Sequence, residues 1–158
     1  MKFVTKLRGA LVNKHQIVIV GAGYGGVVAA HYLTKNKLPE DRYEVVLINP
    51  EPWQDSRSEL DLIIDYRTNS DFTRIPLTNI FRENEVRLIY GRMTKIDKDN
   101  KEVEVELTKG GERFKLPYSE LVIATGAEAS YPPVPGLKEH ALHFGLRMTQ
   151  KNLEKSLK

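Results

Sequence analysis

Residues 16–26 have the sequence Gln-Ile-Val-Ile-Val-Gly-Ala-Gly-Tyr-Gly-Gly, and this stretch decides the fold of the chain. The apolar, β-branched run at 17–20 is typical of a buried strand in a parallel sheet. Three glycines follow with the spacing G-x-G-x-x-G, and the apolar residues after them predict a helix. The order strand, glycines, helix is the context in which this spacing indicates a turn that binds phosphate.

Each of the three glycines has its own mechanical role in such a turn. Gly21 allows the tight turn, Gly23 leaves room for a pyrophosphate to approach the backbone, and Gly26 lets the helix pack close to the strand. The helix N-terminus adds N–H groups and a partial positive charge of roughly half a unit. Tyr24 and Gly25 complete the loop and are candidate cofactor-binding residues too. A glycine-rich turn without a ligand is the alternative interpretation.

The composition of the 158-residue chain suits one globular domain with a sizeable core. Apolar residues make up 41% and charged residues 28% of the chain. No apolar run approaches the ~20 residues that span a bilayer, and no signal peptide is evident. We therefore expect a cytoplasmic protein.

The net charge of +3 is concentrated in residues 1–15, which contain four basic and no acidic residues. The remaining 143 residues have 20 basic and 21 acidic side chains, so the sequence does not predict a nucleic-acid-binding face. The basic leader 1–15 has two interpretations. It is either a solvated extension or a peripheral contact with the anionic inner face of a membrane.

Cysteine is absent from the sequence, which excludes disulfides, thiolate metal sites and a cysteine nucleophile within this chain. His140 and His143 are three residues apart, but no third ligand lies near them in the sequence. We therefore predict no metal site. No side chain is a convincing general acid, base or nucleophile, so no catalytic residue is predicted either.

Residues 16–48 are predicted to form a βαβ unit whose second strand is 43–48. A dinucleotide site usually places an acidic residue on the ribose, about 20 residues beyond the glycines. Here the strand ends with Asn49-Pro50-Glu51. The Asn49 amide can hydrogen-bond a hydroxyl, less strongly than a carboxylate would, and Glu51 is the other candidate. The same residues also suit a simple turn.

Two short helices are predicted next. The first follows a capping box formed by Ser56 and Glu59, within residues 53–66, and the second lies within 75–84. From 86 to 116 an alternation of period two predicts a small antiparallel meander with a hairpin loop at 109–112.

The last predicted strand, 121–123, ends at the small-residue turn Ala-Thr-Gly at 124–126. Such a turn lets the backbone approach a ligand at the carboxyl edge of a sheet. The rigid stretch 131–136 contains three prolines, and a final helix is predicted at 148–158. The domain is accordingly expected at 16–130, followed by a linker and helix at 131–158.

The combined pattern resembles the two-dinucleotide-binding-domain flavoproteins of the pyridine nucleotide-disulfide oxidoreductase superfamily, and is most similar to type II NADH dehydrogenases, or NADH:quinone oxidoreductases. The resemblance covers roughly residues 16 to 145. It implies an α/β, Rossmann-like FAD/NAD(P)-binding fold: a parallel sheet with helices and an antiparallel three-stranded β-meander. The stretches that carry it are 17–26, 45–49, 58–60, 90–97, 118–127 and 134–141.

The resemblance also implies roles for individual residues in binding FAD. The three glycines of the motif would bind its pyrophosphate, and Asn49 stands at the ribose position, where many relatives have an acid. Relatives hold adenine with main-chain groups at the position of Met93. The residues near the flavin ring would be Ser58, Ala124, Thr125 and Gly126. The alternative interpretations are a core methionine for Met93, a helix-capping serine for Ser58 and a structural turn for 124–126.

The sequence departs from this family in three respects. It has no second G-x-G-x-x-G, which relatives use for NADH, no later Gly-Asp element and no C-terminal membrane-docking region. The resemblance therefore implies the FAD-binding portion of a flavoprotein that passes hydride from NADH through flavin to a quinone-like acceptor. We expect little or no NADH oxidation by the chain alone, and completion of the site by a second polypeptide or self-association.

Two other functions remain open from the residues. One is a non-catalytic nucleotide-binding or interaction module that uses the glycine loop for an adenine nucleotide. The other is a small NAD-binding dehydrogenase, which the meander and the absence of a Tyr-x-x-x-Lys-type catalytic pair disfavour.

Overall fold

A computed structural model describes residues 14–35, 38–39, 42–56, 73–82, 85–127 and 130–140. This part of the chain contains eight strands and three helices. In order, the elements are β1 (His15–Val20), α1 (Tyr24–Lys35), β2 (Tyr43–Asn49), β3 (Trp53–Asp55), β4 (Arg74–Pro76), α2 (Leu77–Ile80), β5 (Arg87–Asp97), β6 (Glu102–Leu107), β7 (Arg113–Pro117), β8 (Glu120–Ile123) and α3 (Leu137–His140).

The main sheet has six strands in the order β7-β6-β5-β2-β1-β8. Strands β8, β1, β2 and the first part of β5 are parallel, whereas β5, β6 and β7 form an antiparallel meander. Strands β3 and β4 make a separate antiparallel pair. This arrangement confirms the predicted α/β class, with its parallel sheet and three-stranded meander.

Strand β5 belongs to both halves of the sheet. Its residues 87–90 pair with β2, and its residues 91–97 pair with β6. Gly91 lies at the changeover, where a methyl group on its Cα would stand 2.7 Å from the carbonyl oxygen of Glu106. Glycine is therefore needed here because the backbone of β6 comes close.

The parallel strands are covered on both faces. Helix α1 packs on one face, together with Leu77 and Phe81, and the meander folds over the other with Val103, Val105 and Leu116. Burial on both sides explains why β1 and β2 have continuous apolar runs instead of alternation. None of the helices in the described part of the chain is long and apolar enough to cross a membrane.

The helix predicted within 75–84 is too long. Ile75 and Pro76 belong to β4, and the helix begins only at Leu77 and ends before Phe81, whose backbone is extended at φ −109° and ψ 135°. Strand β3, which pairs with β4, was not predicted. Residues 57–66 of the helix predicted after the capping box, and the helix predicted at 148–158, lie outside the described residues.

Candidate functional site

The candidate site lies at the carboxyl ends of three neighbouring parallel strands. Strand β1 lies between β2 and β8 in the sheet, so the segments that leave these strands are adjacent. They are the glycine loop at 21–26, the exit of β2 at 49–51 and the turn at 124–126. The carboxyl edge of an open parallel sheet is where such folds bind ligands. The structure thus brings together most of the residues that the sequence predicts for the site.

Hydrogen bonds fix the start of the glycine loop to both neighbouring strands. The Gly21 N–H donates to the carbonyl oxygen of Ile48 on β2 at 2.8 Å. On the other side, the Ala124 N–H donates to the carbonyl oxygen of Val20 at 2.8 Å. The loop is therefore held between β2 and the turn that follows β8.

Gly21 and Gly26 are required by packing. Gly21 has φ +101°, and a methyl group there would overlap the carbonyl oxygen of Ala124 and lie 2.8 Å from its carbonyl carbon. A methyl group on Gly26 would overlap the carbonyl oxygen of Gly21. These two glycines let the loop, the helix and the 124–126 turn approach one another, as the sequence predicted for the turn and for helix packing.

Gly23 differs from these two glycines, because its Cα faces open space. Apart from its chain neighbours, no described residue has an atom within 4 Å of a methyl group built on Gly23, and the same holds for Gly25 apart from its neighbours and the adjacent helix backbone. The first hydrogen bond within α1 runs from the Val27 N–H to the Gly23 carbonyl oxygen at 3.0 Å, so the loop leads directly into the helix N-terminus. The first turn, Tyr-Gly-Gly-Val, carries no carboxylate that would compete with an anion.

The Asn49 side chain makes hydrogen bonds with both ends of its amide. Its Oδ1 accepts the Ala22 N–H at 2.9 Å, and its Nδ2 donates to the Glu51 carbonyl oxygen at 2.8 Å. The Glu51 residue is exposed. The turn after β2 is also held by the Thr108 hydroxyl, which donates to the Pro50 carbonyl oxygen at 2.8 Å. The turn chemistry considered for Asn49 is therefore present.

Tyr24 connects the glycine loop to β3. Its hydroxyl lies 3.3 Å from the hydroxyl of Ser56, which is buried at the end of β3. The aromatic side chain of Tyr24 is 49% exposed at the mouth of the site. Sequence reasoning treated Ser56 only as a helix cap, and a pairing of residues 32 positions apart has no local sequence signal. Ser58 lies outside the described residues.

Met93 lies on β5, two strands away from β1. Its side chain is partly buried and packs against the core under the meander, as the alternative interpretation of a core methionine expects. Contact with adenine through its main chain stays a prediction. Nearer the loop, Thr125 and Gly126 are exposed, and Gly126 has φ +77°. This geometry needs glycine because other residues rarely adopt it.

An open cavity, which no sequence pattern predicts, lies beside the exit of β2. Its volume is about 370 Å³. The Arg74 guanidinium lies over the Trp53 ring, 4.7 Å from the ring centroid. The cavity is lined by Pro52, Trp53, Arg74, Pro76, Thr78 and Tyr90.

A partly buried ion pair lies at the opposite, amino edge of the sheet. Arg87 Nε lies 3.4 Å from Glu44 Oε1, and the Gln16 amide donates to Glu44 Oε2 at 2.9 Å. Burial lowers the pKa of Arg87, while the charge of Glu44 raises it. Within the described ranges, no group of three or more histidine, aspartate or glutamate side chains could hold a metal ion.

Comparison with known families gives one matching family model. It is described as pyridine nucleotide-disulphide oxidoreductase and matches residues 15–157. The chain is 27% identical over 145 residues to the type II NADH:quinone oxidoreductase of Staphylococcus epidermidis, covering 92% of this chain and 34% of that protein. It is 24% identical over 145 residues to the protein of the same name from Staphylococcus aureus, with the same coverage. The chain thus spans about a third of the length of these curated relatives.

Solved structures have the same fold. NDH2 from Plasmodium falciparum, determined in complex with NADH, has a TM-score of 0.68 and 19% identity, covering 91% of this chain and 28% of that one. The sulfide:quinone oxidoreductase from Aquifex aeolicus has a TM-score of 0.70 and 23% identity, covering 89% of this chain and 32% of its own. At these identities the likeness shows the fold alone.

Proposed function

The chain belongs to the pyridine nucleotide-disulphide oxidoreductase family, and from this premise we propose that it binds FAD at the glycine loop. Flavin and NADH use are features of this family. In the proposed complex the loop at 21–26 and the N-terminus of α1 hold the pyrophosphate. The exit of β2 at 49–51 faces the ribose, and the turn at 124–126 lies beside the flavin ring.

The open space at Gly23 is the observation that carries this proposal. Packing accounts for glycine at Gly21 and Gly26, since a methyl group at either would overlap backbone oxygen. Packing does not account for glycine at Gly23, where an added methyl group meets no atom of the described residues within 4 Å apart from its chain neighbours. An open side at this position leaves room for a group to approach the backbone, and a pyrophosphate at a helix N-terminus is such a group.

The proposed reaction of the complete system is hydride transfer from NADH and reduction of a quinone-like acceptor. Bound FAD would supply the redox chemistry, while these residues bind and orient it. The sequence contains one G-x-G-x-x-G motif, at 21–26, and no second one for NADH. We therefore propose that this chain alone contributes FAD binding and needs further polypeptide for NADH oxidation.

Titration of the purified chain with FAD tests the proposal, with visible absorbance and flavin fluorescence as readouts. The decisive variant is Gly23→Ala, because its methyl group enters the space assigned to the pyrophosphate and meets no described residue other than its chain neighbours within 4 Å. Loss of one charge-assisted hydrogen bond costs about 1.5–3 kcal/mol, so we expect FAD binding at least about tenfold weaker. The matched comparison is Gly25→Ala, which adds the same methyl group inside α1, two residues beyond the position assigned to the pyrophosphate contact, and should weaken binding less.

The same preparations distinguish the other functions. A wild-type chain that ignores FAD but binds NAD or ATP would favour a dehydrogenase or a nucleotide-binding module. A chain that binds none of the three would refute the proposal, and so would a Gly23→Ala variant that binds FAD like the wild type. NADH-dependent quinone reduction by the pure chain would contradict the assignment of NADH oxidation to further polypeptide.

A further inference from the structure

We infer that Asn49 is a positioning residue, whose side-chain amide holds the glycine loop in its binding geometry before the cofactor arrives. It occupies the position at which the ribose-contacting carboxylate of dinucleotide sites is expected. In this chain both ends of the amide bind protein backbone instead. The inference rests on the proposed FAD site, which it refines by assigning Asn49 to the loop and not primarily to the ribose.

The Asn49 side chain extends the pairing of β1 and β2 by one further hydrogen bond. The register of the two strands ends with Val20 opposite Ile48, and the Gly21 N–H still reaches the Ile48 carbonyl oxygen at 2.8 Å. The next donor is the N–H of Ala22, a residue only 3% exposed. Asn49 Oδ1 accepts it at 2.9 Å. Because a buried N–H group must be paired, this acceptor matters to the loop.

The two partners of Asn49 require an amide. The Ala22 N–H can only donate and the Glu51 carbonyl oxygen can only accept, so the group between them must offer one acceptor and one donor. Asparagine does so, with its Nδ2 2.8 Å from the Glu51 oxygen. An ionised aspartate offers acceptors only. Its second oxygen would face the Glu51 carbonyl oxygen, so the acid expected at a ribose contact is incompatible with this pair of bonds.

The consequence for binding follows from the place of Ala22 in the loop. Ala22 stands between Gly21, whose conformation is fixed by packing, and Gly23, whose open side is the proposed contact with pyrophosphate. Holding Ala22 therefore fixes the direction in which Gly23 presents its backbone. A loop ordered before binding does not have to be ordered by the ligand, which strengthens association.

The test compares Asn49→Asp and Asn49→Ala with the wild type. Two quantities are measured: the FAD dissociation constant, and the hydrogen-exchange protection of the Ala22 amide in the cofactor-free chain by NMR. Asn79→Asp, at an exposed asparagine of α2, is the matched control for added charge. One net hydrogen bond corresponds to about a twofold to tenfold change. Asn49→Ala removes the acceptor of the Ala22 N–H, so we expect it to lower both Ala22 protection and FAD affinity by that factor, with the control unchanged. Asn49→Asp keeps an acceptor for Ala22 but loses the bond to the Glu51 carbonyl oxygen, so we expect it to lower FAD affinity with a smaller effect on Ala22 protection.

A ribose-ligand role predicts the opposite sign for the aspartate variant. If Asn49→Ala weakens FAD binding while Ala22 protection in the cofactor-free chain stays at the wild-type level, or if Asn49→Asp binds FAD more tightly than the wild type, the positioning role is wrong. An Ala22 amide that exchanges without protection in the wild type also overturns it, whatever FAD does. If the wild type does not bind FAD, the proposed function fails, and the exchange of the Ala22 amide then decides the loop contact by itself.

Discussion

Replacing Gly26 with alanine tests how tightly the glycine loop is packed. The added methyl group would overlap the Gly21 carbonyl oxygen, lie 3.0 Å from the Gly21 carbonyl carbon and 3.4 Å from Ala124 Cβ. The main obstacle is backbone that is held by the hydrogen bond from Gly21 to Ile48, so it cannot move aside without loss. Overpacking costs about 1–3 kcal/mol, and one broken hydrogen bond costs about 1 kcal/mol.

Alanine is favoured over glycine within a helix by about 1 kcal/mol, which offsets part of these costs. The expected net loss for Gly26→Ala is therefore about 2 kcal/mol, measured as the free energy of unfolding in urea by circular dichroism. Gly25→Ala is the control, since it lies one position earlier in α1 and its methyl group meets no described atom within 4 Å beyond its neighbours and the adjacent helix backbone. It should leave stability unchanged or raise it by up to about 1 kcal/mol. Effects of the same sign and size for the two variants would refute the packing argument.

Two further predictions concern charges away from the site. Hydrogen bonds from the side chain and backbone of Asn100 hold the pKa of Asp97 below its usual value. The ionised Asp97 carboxylate therefore contributes its full stabilisation above its ordinary pKa, and this contribution is lost as pH falls through the lower pKa of the folded state. Asn100→Ala should raise the Asp97 pKa in an NMR titration, and an unchanged pKa would contradict this cause. Glu44→Ala should cost about 2 kcal/mol because it leaves the charge of Arg87, whose side chain is 21% exposed, without its partner. Urea unfolding should show a smaller loss when Arg87→Met accompanies Glu44→Ala, and additive losses would contradict the coupling.

The central strands and the meander could be predicted because burial determines their sequence patterns. Strands β1 and β2 are buried on both faces, so their apolar runs are continuous. Strand β6 alternates instead: Val103 and Val105 are fully buried, whereas Glu102 and Glu106 face outward and pair with Lys115 and Arg113 on β7. Each pattern lies within a single strand, and it indicates whether one or both faces of that strand are buried.

The β3–β4 pair could not be predicted, because its cause is not local. Each strand has three residues, too few for a recognisable alternation, and the pairing joins Trp53 with Pro76 across 23 positions. The same pairing extends the backbone at Ile75 and Pro76 and so shortens the helix that follows. A helical pattern at 75–84 gave no indication of a partner strand so far away in sequence.

The partners of Asn49 show the same limit within the site. The sequence places an amide at the exit of β2, and either a ribose contact or a turn was consistent with it. The choice depends on which groups lie around the amide, and one of them, the Ala22 N–H, is 27 positions away. That distance in sequence is why the residue could be located but its hydrogen-bond partners could not.

The glycine motif contains glycines required by packing and a glycine with an open side, and the sequence alone does not distinguish them. Gly21 and Gly26 would be required in a strand–turn–helix unit that bound nothing, because backbone oxygens occupy the space of a side chain. Gly23 has no such requirement among the described residues. The structural argument for a ligand at this loop therefore rests on Gly23, and a substitution there separates binding from folding more cleanly than one at either neighbouring glycine of the motif.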